Sequence, residues 1–221
     1  MANTITLYFG SGSPYAWKVW LALEHKALPY EAKRMQFDNG DLKTPEFLAI
    51  NPRGQVPTLV DGDFAMYESS AMIEYLEDKY PNSGWPLWPA DIHERAIARR
   101  RAAEVLSHID PLNGEIFGMV FGKSEVGKSG SDPDAIAKWK TAMTAQLAVV
   151  ETWLEHDFLA GSALSAVDFT LYPYLAFMGR IDSRKPEMKL LSIVPPKLAA
   201  WMKRIEALPY FDKTYPPHWR G

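Results

Sequence analysis

Before residue 80 the spacing of apolar positions switches between two residues and three to four, and after residue 91 only the longer, helical period persists. Ile5-Thr6-Leu7-Tyr8-Phe9 alternates, is rich in strand formers and stops at Gly10-Ser11-Gly12, a turn signal. Ser13-Pro14 then has the form of a helix cap followed by proline at the first helical position, and Trp17, Trp20, Leu21 and Leu28 recur at helical spacing. Residues 29–35 predict a second strand, followed by the polar loop Asp38-Asn39-Gly40 and a short helix near residues 45–49. Two apolar runs, Val56-Pro57-Thr58-Leu59-Val60 and Phe64-Ala65-Met66, flank Asp61-Gly62 and predict a hairpin. At Glu68-Ser69-Ser70 a serine cap opens a further helix that ends by Tyr80-Pro81, which makes the order β-α-β-α-β-β-α.

The stretch from Pro81 to Pro89 is dense in proline and small residues, as a linker would be, and no convincing strand follows it. Asp91 and Glu94 have capping-box spacing, and a helix should run from Pro133 to about Glu155. Ser165-Ala166-Val167-Asp168 reads as another capping box with aspartate in the place of Glu or Gln, and Leu164 with Phe169 has the spacing of a hydrophobic staple. Pro195-Pro196 opens a last helix that ends near Leu208-Pro209. The expected organisation is an α/β domain over residues 1–81, a linker over 82–90 and an all-α domain over 91–221.

Composition narrows the chemistry. The chain has 221 residues and a formal charge of −3 from 24 basic and 27 acidic side chains, so there is no basic excess to neutralise phosphates. The run Arg99-Arg100-Arg101 lies in a helical stretch with Glu94 and Glu104 nearby, which suits a solvated or subunit-pairing face better than a nucleic-acid site. With no cysteine the chain has no disulfide, thiolate metal site or cysteine nucleophile, and its five scattered histidines lack paired ligand spacing, so no metal is expected. The start Met1-Ala2-Asn3-Thr4 carries no secretory pattern and no stretch has the length of a membrane span; the expectation is a cytoplasmic protein without a membrane partner.

Three places could carry chemistry. Ser13 sits where a strand meets a helix N-terminus, a position whose free N–H groups and dipole favour an anion such as a thiolate. Val56-Pro57 would expose the valine backbone if its peptide bond were cis, although the dipeptide alone predicts trans. Glu68-Ser69 at a helix start could bind the amino acid end of a peptide. Taken singly, Ser13 and Glu68-Ser69 are equally plain helix caps. Gly122-Lys123-Ser124-Glu125-Val126-Gly127-Lys128-Ser129 matches the P-loop pattern, but Gly130-Ser131-Asp132-Pro133 delays the next helix and no downstream strand ends in an aspartate for Mg²⁺, so a glycine-rich interhelical loop is the better reading.

Four ordered motifs, Ser13-Pro14-Tyr15 with Lys18-Val19, the run from Asn51 to Leu59, Glu68-Ser69-Ser70, and Ser165-Ala166-Val167-Asp168, resemble the cytosolic glutathione transferase family over nearly the whole chain. The resemblance implies a thioredoxin-like N-terminal domain, an all-α C-terminal domain and a homodimer. It implies glutathione as co-substrate: Val56 pairs its backbone with the tripeptide before a cis Pro57, Glu68 and Ser69 hold the γ-glutamyl group, and Gln55 and Lys43 reach the glycyl carboxylate. Ser13 stands before Val19 at the spacing of serine-type members, such as the tau, phi, theta and zeta classes, and is the expected thiolate holder; Ser11, Tyr8 and Tyr15 are rival hydroxyls. A pocket for a small apolar electrophile is expected from the loop after the first strand, with Ser11 and Tyr15, and from the first helix of the α domain, with Phe117, Met119 and Phe121, residues that could equally be core. They do not name the electrophile, nor whether conjugation, peroxidase, isomerase or dehalogenase chemistry dominates. A glutathione-binding scaffold of the same fold with little catalysis is the alternative.

Overall fold

The computed structural model describes residues 4–122 and 132–220. Strand β1 (Ile5–Gly10), helix α1 (Pro14–His25), β2 (Tyr30–Met35), α2 (Pro45–Ile50), β3 (Thr58–Asp61), β4 (Phe64–Met66) and α3 (Ser69–Lys79) appear in the expected order. They build a thioredoxin-like unit around one sheet of order β2-β1-β3-β4. Strand β1 runs parallel to β2, with Ile5 beside Tyr30, and antiparallel to β3, with Tyr8 beside Thr58; β3 and β4 are antiparallel, with Leu59 opposite Met66.

The alternation of β1 is the core pattern. Ile5, Leu7 and Phe9 are buried, and Phe9 packs on Trp20 of α1 at 4.4 Å between ring centroids. Tyr8 points to the other face, its ring 5.7 Å from Phe47 of α2. Helix α1 buries Trp17, Val19, Leu21, Ala22 and Leu23, each worth roughly 1.5–3 kcal/mol for the larger side chains.

Polar anchors sit at the end of α1. Fully buried Lys26 pairs with Glu77 of α3 at 2.7 Å, and Glu77 also accepts from the Leu87 N–H at 3.1 Å, so one carboxylate ties α1, α3 and the proline-rich segment together. Beside it, the His25 imidazole meets the Tyr210 hydroxyl at 2.8 Å. Burial, reinforced by the Lys26 charge and opposed by the Pro86 carbonyl, brings its pKa down to about 4. At the other end of the hairpin, buried Asp61 accepts from Tyr75, Lys79 and Tyr80, which holds α3 against β3.

The chain divides into two compact units. One comprises the residues up to Trp88 together with those from Leu208 onward, and the other spans Pro89–Ala207. The closing segment, which helical periodicity alone would leave with the second half, includes α9 (Phe211–Thr214) and packs in the first unit through Trp17, whose indole N–H donates to buried Thr214 at 3.0 Å.

The second unit is all-helical among its described residues. Helices α4 (Ile92–Glu104) and α5 (Asp110–Phe121) run on through a π-helical turn at Val105–Ile109, followed by α6 (Pro133–Glu151), α7 (Ala166–Arg184) and α8 (Pro196–Glu206). The α6 helix stops short of the expected residue 155 because the Thr152 hydroxyl donates back to the Val149 carbonyl, and the N–H groups of Trp153 and Leu154 reach only three residues back. Residues 123–129 of the P-loop-like pattern lie outside the described residues; Gly122, with φ of 72°, ends α5. Asp168 is fully buried and accepts four hydrogen bonds: Ser165 N–H at 2.8 Å, Ser165 hydroxyl at 2.9 Å, Leu159 N–H at 2.9 Å and Trp201 Nε1–H at 2.8 Å. Within the described residues no helix is long and apolar enough to cross a membrane.

Replacing Asp168 with Ala should destabilise the protein by about 3–5 kcal/mol in urea unfolding, because it leaves several donors buried without an acceptor. A second expectation concerns acid. The His25 pKa falls from an ordinary 6.5 to about 4 on folding, so the unfolded chain binds more proton between these values. The stability from neutral His25 is complete above its unfolded value and is lost as pH falls toward the folded one, by about 3 kcal/mol. Unfolding measured near neutrality and near pH 4.5 should show a smaller acid loss for His25→Gln than for the wild type.

Candidate functional site

Strand directions bring four connections to one end of the first unit's sheet. The loops after β1 and after β2 leave from their carboxyl ends, and the antiparallel pairing of β3 places its entry, Gln55-Val56-Pro57, at the same end. The exit of β4 at Met66 lies level with Leu59, so Glu68 and Ser69 arrive there too. The carboxyl ends of parallel strands are where open α/β sheets bind ligands.

Ser13 takes the N-cap position of α1 with extended backbone, φ of −70°, and its hydroxyl accepts from Ala16 N–H at 3.4 Å, a long bond. Its own N–H donates to the Gly10 carbonyl at 3.1 Å, which closes the turn. Pro14 has no N–H to offer, so the first N–H of the helix is that of Tyr15, and Ala16 N–H is directed at the Ser13 hydroxyl. Ser13 is half-buried and Tyr15 is exposed. Tyr8 lies on the sheet face of α2, with Lys33 5.6 Å from its ring centroid, whereas Ser13 opens the helix on the other face.

The Gln55-Val56-Pro57 connection is shaped by Asn51. Its buried side chain donates to the Gln55 carbonyl at 2.8 Å and to the Thr58 hydroxyl at 2.8 Å, and accepts from Arg53 N–H at 3.0 Å. The Val56–Pro57 peptide bond is cis, as the family resemblance implies and against what the dipeptide alone predicts. Gly54 has φ of +60°, and a Cβ there would come within 2.8 Å of the Leu42 carbonyl, so only glycine lets this connection approach the turn Asp41–Lys43. Lys43 and Gln55 are both exposed on that juncture.

At the start of α3 the cap differs from the sequence expectation. Glu68, with φ of +71°, takes the N-cap position without a side-chain cap bond, and Ser69 is the first helical residue. The positive φ turns the chain so that Glu68 stays exposed while Ser69 is buried. Lys18 of α1, itself buried, donates to the Ser70 hydroxyl at 3.0 Å and so joins the body of α1 to the first turn of α3.

Two further features carry no sequence signal strong enough to find them. Phe37, 60% exposed, lays its ring on Gly10, where a Cβ would come within 2.2 Å of it. The closing segment covers the β1–α1 loop: Ser11 Oγ lies 2.6 Å from His218 Nδ1, and Trp219 stands edge-on to Trp17 at 5.5 Å. The residue spacing of over 200 positions hides that contact from any local pattern. In the second unit, Phe117 and Phe121 form an exposed aromatic patch with rings 4.9 Å apart, backed by Phe177. Among the described residues there is no group of three or more His, Cys, Asp or Glu side chains suited to a metal ion.

Asn51→Ala should lower stability by about 2–4 kcal/mol, because it removes the acceptor for Arg53 N–H and both donated bonds around Gln55 and Thr58; urea unfolding measures it.

Comparison with known proteins supplies the remaining observation. The family model described as glutathione S-transferase, N-terminal domain matches residues 12–79, and that described as glutathione S-transferase, C-terminal domain matches residues 115–209. Glutathione S-transferase 3 of Zea mays is 33% identical over 211 residues, 95% of this chain and 92% of the relative. Glutathione S-transferase A of Pleuronectes platessa is 29% identical over 99% of this chain and 94% of its own length. The crystal structure of a glutathione S-transferase from the Antarctic clam Laternula elliptica superposes with a TM-score of 0.79 at 31% identity, covering 98% of this chain and 94% of that one.

Proposed function

The chain belongs to the glutathione S-transferase family, and from that premise we propose that it joins the sulfur of glutathione to a small apolar electrophile, with the Ser13 hydroxyl holding the sulfur as a thiolate. The observation that carries this reading is the position of Ser13: a hydroxyl at the N-cap of α1, at the carboxyl end of β1, whose hydrogen bond to Ala16 N–H is a long 3.4 Å. A thiol titrates near pH 8.5, and lowering that value by two units takes about 2.7 kcal/mol of preference for the thiolate. One hydroxyl bond to a charged sulfur, worth roughly 1.5–3 kcal/mol, together with the helix end, is enough.

The rest of the tripeptide is assigned to the connections that share this end of the sheet. The Val56 backbone pairs with it beside cis Pro57, Glu68 and Ser69 take the γ-glutamyl group, and Gln55 and Lys43 meet the glycyl carboxylate. Bound in this way, the thiolate attacks an electrophilic carbon and forms the C–S bond. In displacement the leaving group departs with its electron pair; in addition the pair moves onto the acceptor, which then takes a proton from water. Exposed Tyr15 and Phe37 of the first unit offer apolar contacts for such an electrophile. A homodimer in the cytoplasm completes the reading.

Titrating the thiol of bound glutathione by its thiolate ultraviolet absorbance tests it, after calorimetry has shown binding. Ser13→Ala should still bind, raise the thiol pKa by about one to two units and slow conjugation by roughly 10–100-fold. If the variant keeps the depressed pKa, Ser13 is not the thiolate holder; if the wild type binds glutathione but turns over no electrophile, the scaffold alternative replaces catalysis.

A further inference from the structure

The C-terminal segment touches the same loop that carries Ser13, through a contact whose proton arrangement can be worked out. His218 Nε2 lies 3.0 Å from Trp219 Nε1, and an indole nitrogen is a donor only. The neutral imidazole therefore accepts at Nε2 and carries its proton on Nδ1. That proton points at Ser11 Oγ, 2.6 Å away, so the serine oxygen is the acceptor. The Ser11 O–H must then donate in another direction. Were the serine to donate to Nδ1 instead, the ring would need its proton on Nε2, facing the indole N–H, and two donors would meet.

The contact is rigidly backed. Trp219 stands edge-on to Trp17 at 5.5 Å and to Tyr215 at 6.0 Å, and Tyr215 in turn packs edge-on against Trp17 at 5.9 Å. The Trp17 indole is held by Thr214, and the Arg220 guanidinium lies 5.4 Å from the Tyr215 ring centroid. Between the two serines, Gly12 has φ of +79°, and a Cβ there would come within 2.8 Å of His218 Cε1 and 3.1 Å of Trp219 Nε1. The turn and the closing segment are thus in direct van der Waals contact, and only glycine permits both that contact and that backbone.

We propose that His218 is a positioning residue for thiolate formation: its Nδ1–H occupies the Ser11 oxygen as acceptor, which turns the Ser11 hydroxyl proton toward the glutathione sulfur as a second donor beside Ser13. The inference rests on the thiolate reading above and goes beyond it, since it assigns the tail at the far end of the chain to the activation of the sulfur. Ser11 is then a thiolate donor in its own right, and Trp219 sets the imidazole tautomer.

The test compares His218→Phe, His218→Asn, Ser11→Ala and the His218→Phe/Ser11→Ala double variant, with glutathione and a chlorodinitrobenzene as probes. Thermal melts and calorimetric glutathione binding are measured for each. His218→Phe keeps a ring but loses the donor, and should raise the bound-thiol pKa by about half to one unit and lower kcat by about three- to tenfold, with KM for glutathione nearly unchanged. His218→Asn, whose amide can place an N–H where Nδ1 stood, should restore most of both. The double variant should be no worse than Ser11→Ala, because the histidine acts through that serine. A wild-type thiol pKa and kcat in His218→Phe overturns the inference while leaving the Ser13 reading intact. Equal loss in the Phe and Asn variants with a lowered melting temperature also overturns it, since the segment then serves stability alone. An undepressed thiol pKa in the wild type removes both.

Discussion

Strand β1 pairs in parallel with β2 and antiparallel with β3, and this double pairing is the constraint on which the first unit depends. Parallel pairing forces the chain to cross over through α1, which puts the N-terminus of α1 at the carboxyl end of β1. Antiparallel pairing then makes the chain enter β3 at that same end, and the short hairpin to β4 returns Glu68 and Ser69 to it. A one-residue slip of β1 would turn Ile5, Leu7 and Phe9 outward, so burial of those three side chains holds the register and, through it, the assembly of the site.

Burial of apolar surface supplies most of the stability, while a few buried polar groups decide how the connections lie. The Lys26–Glu77 pair and the neutral His25 lock the proline-rich segment onto the end of α1. Asn51 fixes the course of Gln55-Val56-Pro57, and Lys18 joins α1 to the first turn of α3. In the second unit Asp168 does similar work, joining the start of α7 to Leu159 and Trp201 through one carboxylate. Each such group is costly if a partner is lost, which gives these sites a specificity that hydrophobic burial alone would not provide.

Much of this architecture was legible locally. Alternation in β1, Ser13-Pro14 at the start of α1, and the hairpin signal at Asp61-Gly62 act over a few residues, so spacing and capping chemistry were enough to read them. The capping box at Ser165 was equally local, though its aspartate also accepts from Leu159 and Trp201, donors that no box pattern includes. Local rules failed where the competing terms were close in energy. A serine at the α3 cap was the default, yet Glu68 takes the position because the turn out of β4 sets a positive φ there. The α6 helix ends early where Thr152 bonds back to its own backbone.

The sequence by itself determined the element order, the β-α-β-α-β-β-α unit with helices after it, and the motifs that mark the family, because propensity, periodicity and turn chemistry are short-range properties. Only the tertiary structure decided that the cis Val56–Pro57 bond is the one populated, that Phe37 lies on Gly10, and that His218 and Trp219 close over the loop of Ser11 and Ser13. Those outcomes turn on packing between segments far apart in the chain, where the energy of a contact depends on what the rest of the fold brings to it and not on the neighbours in sequence.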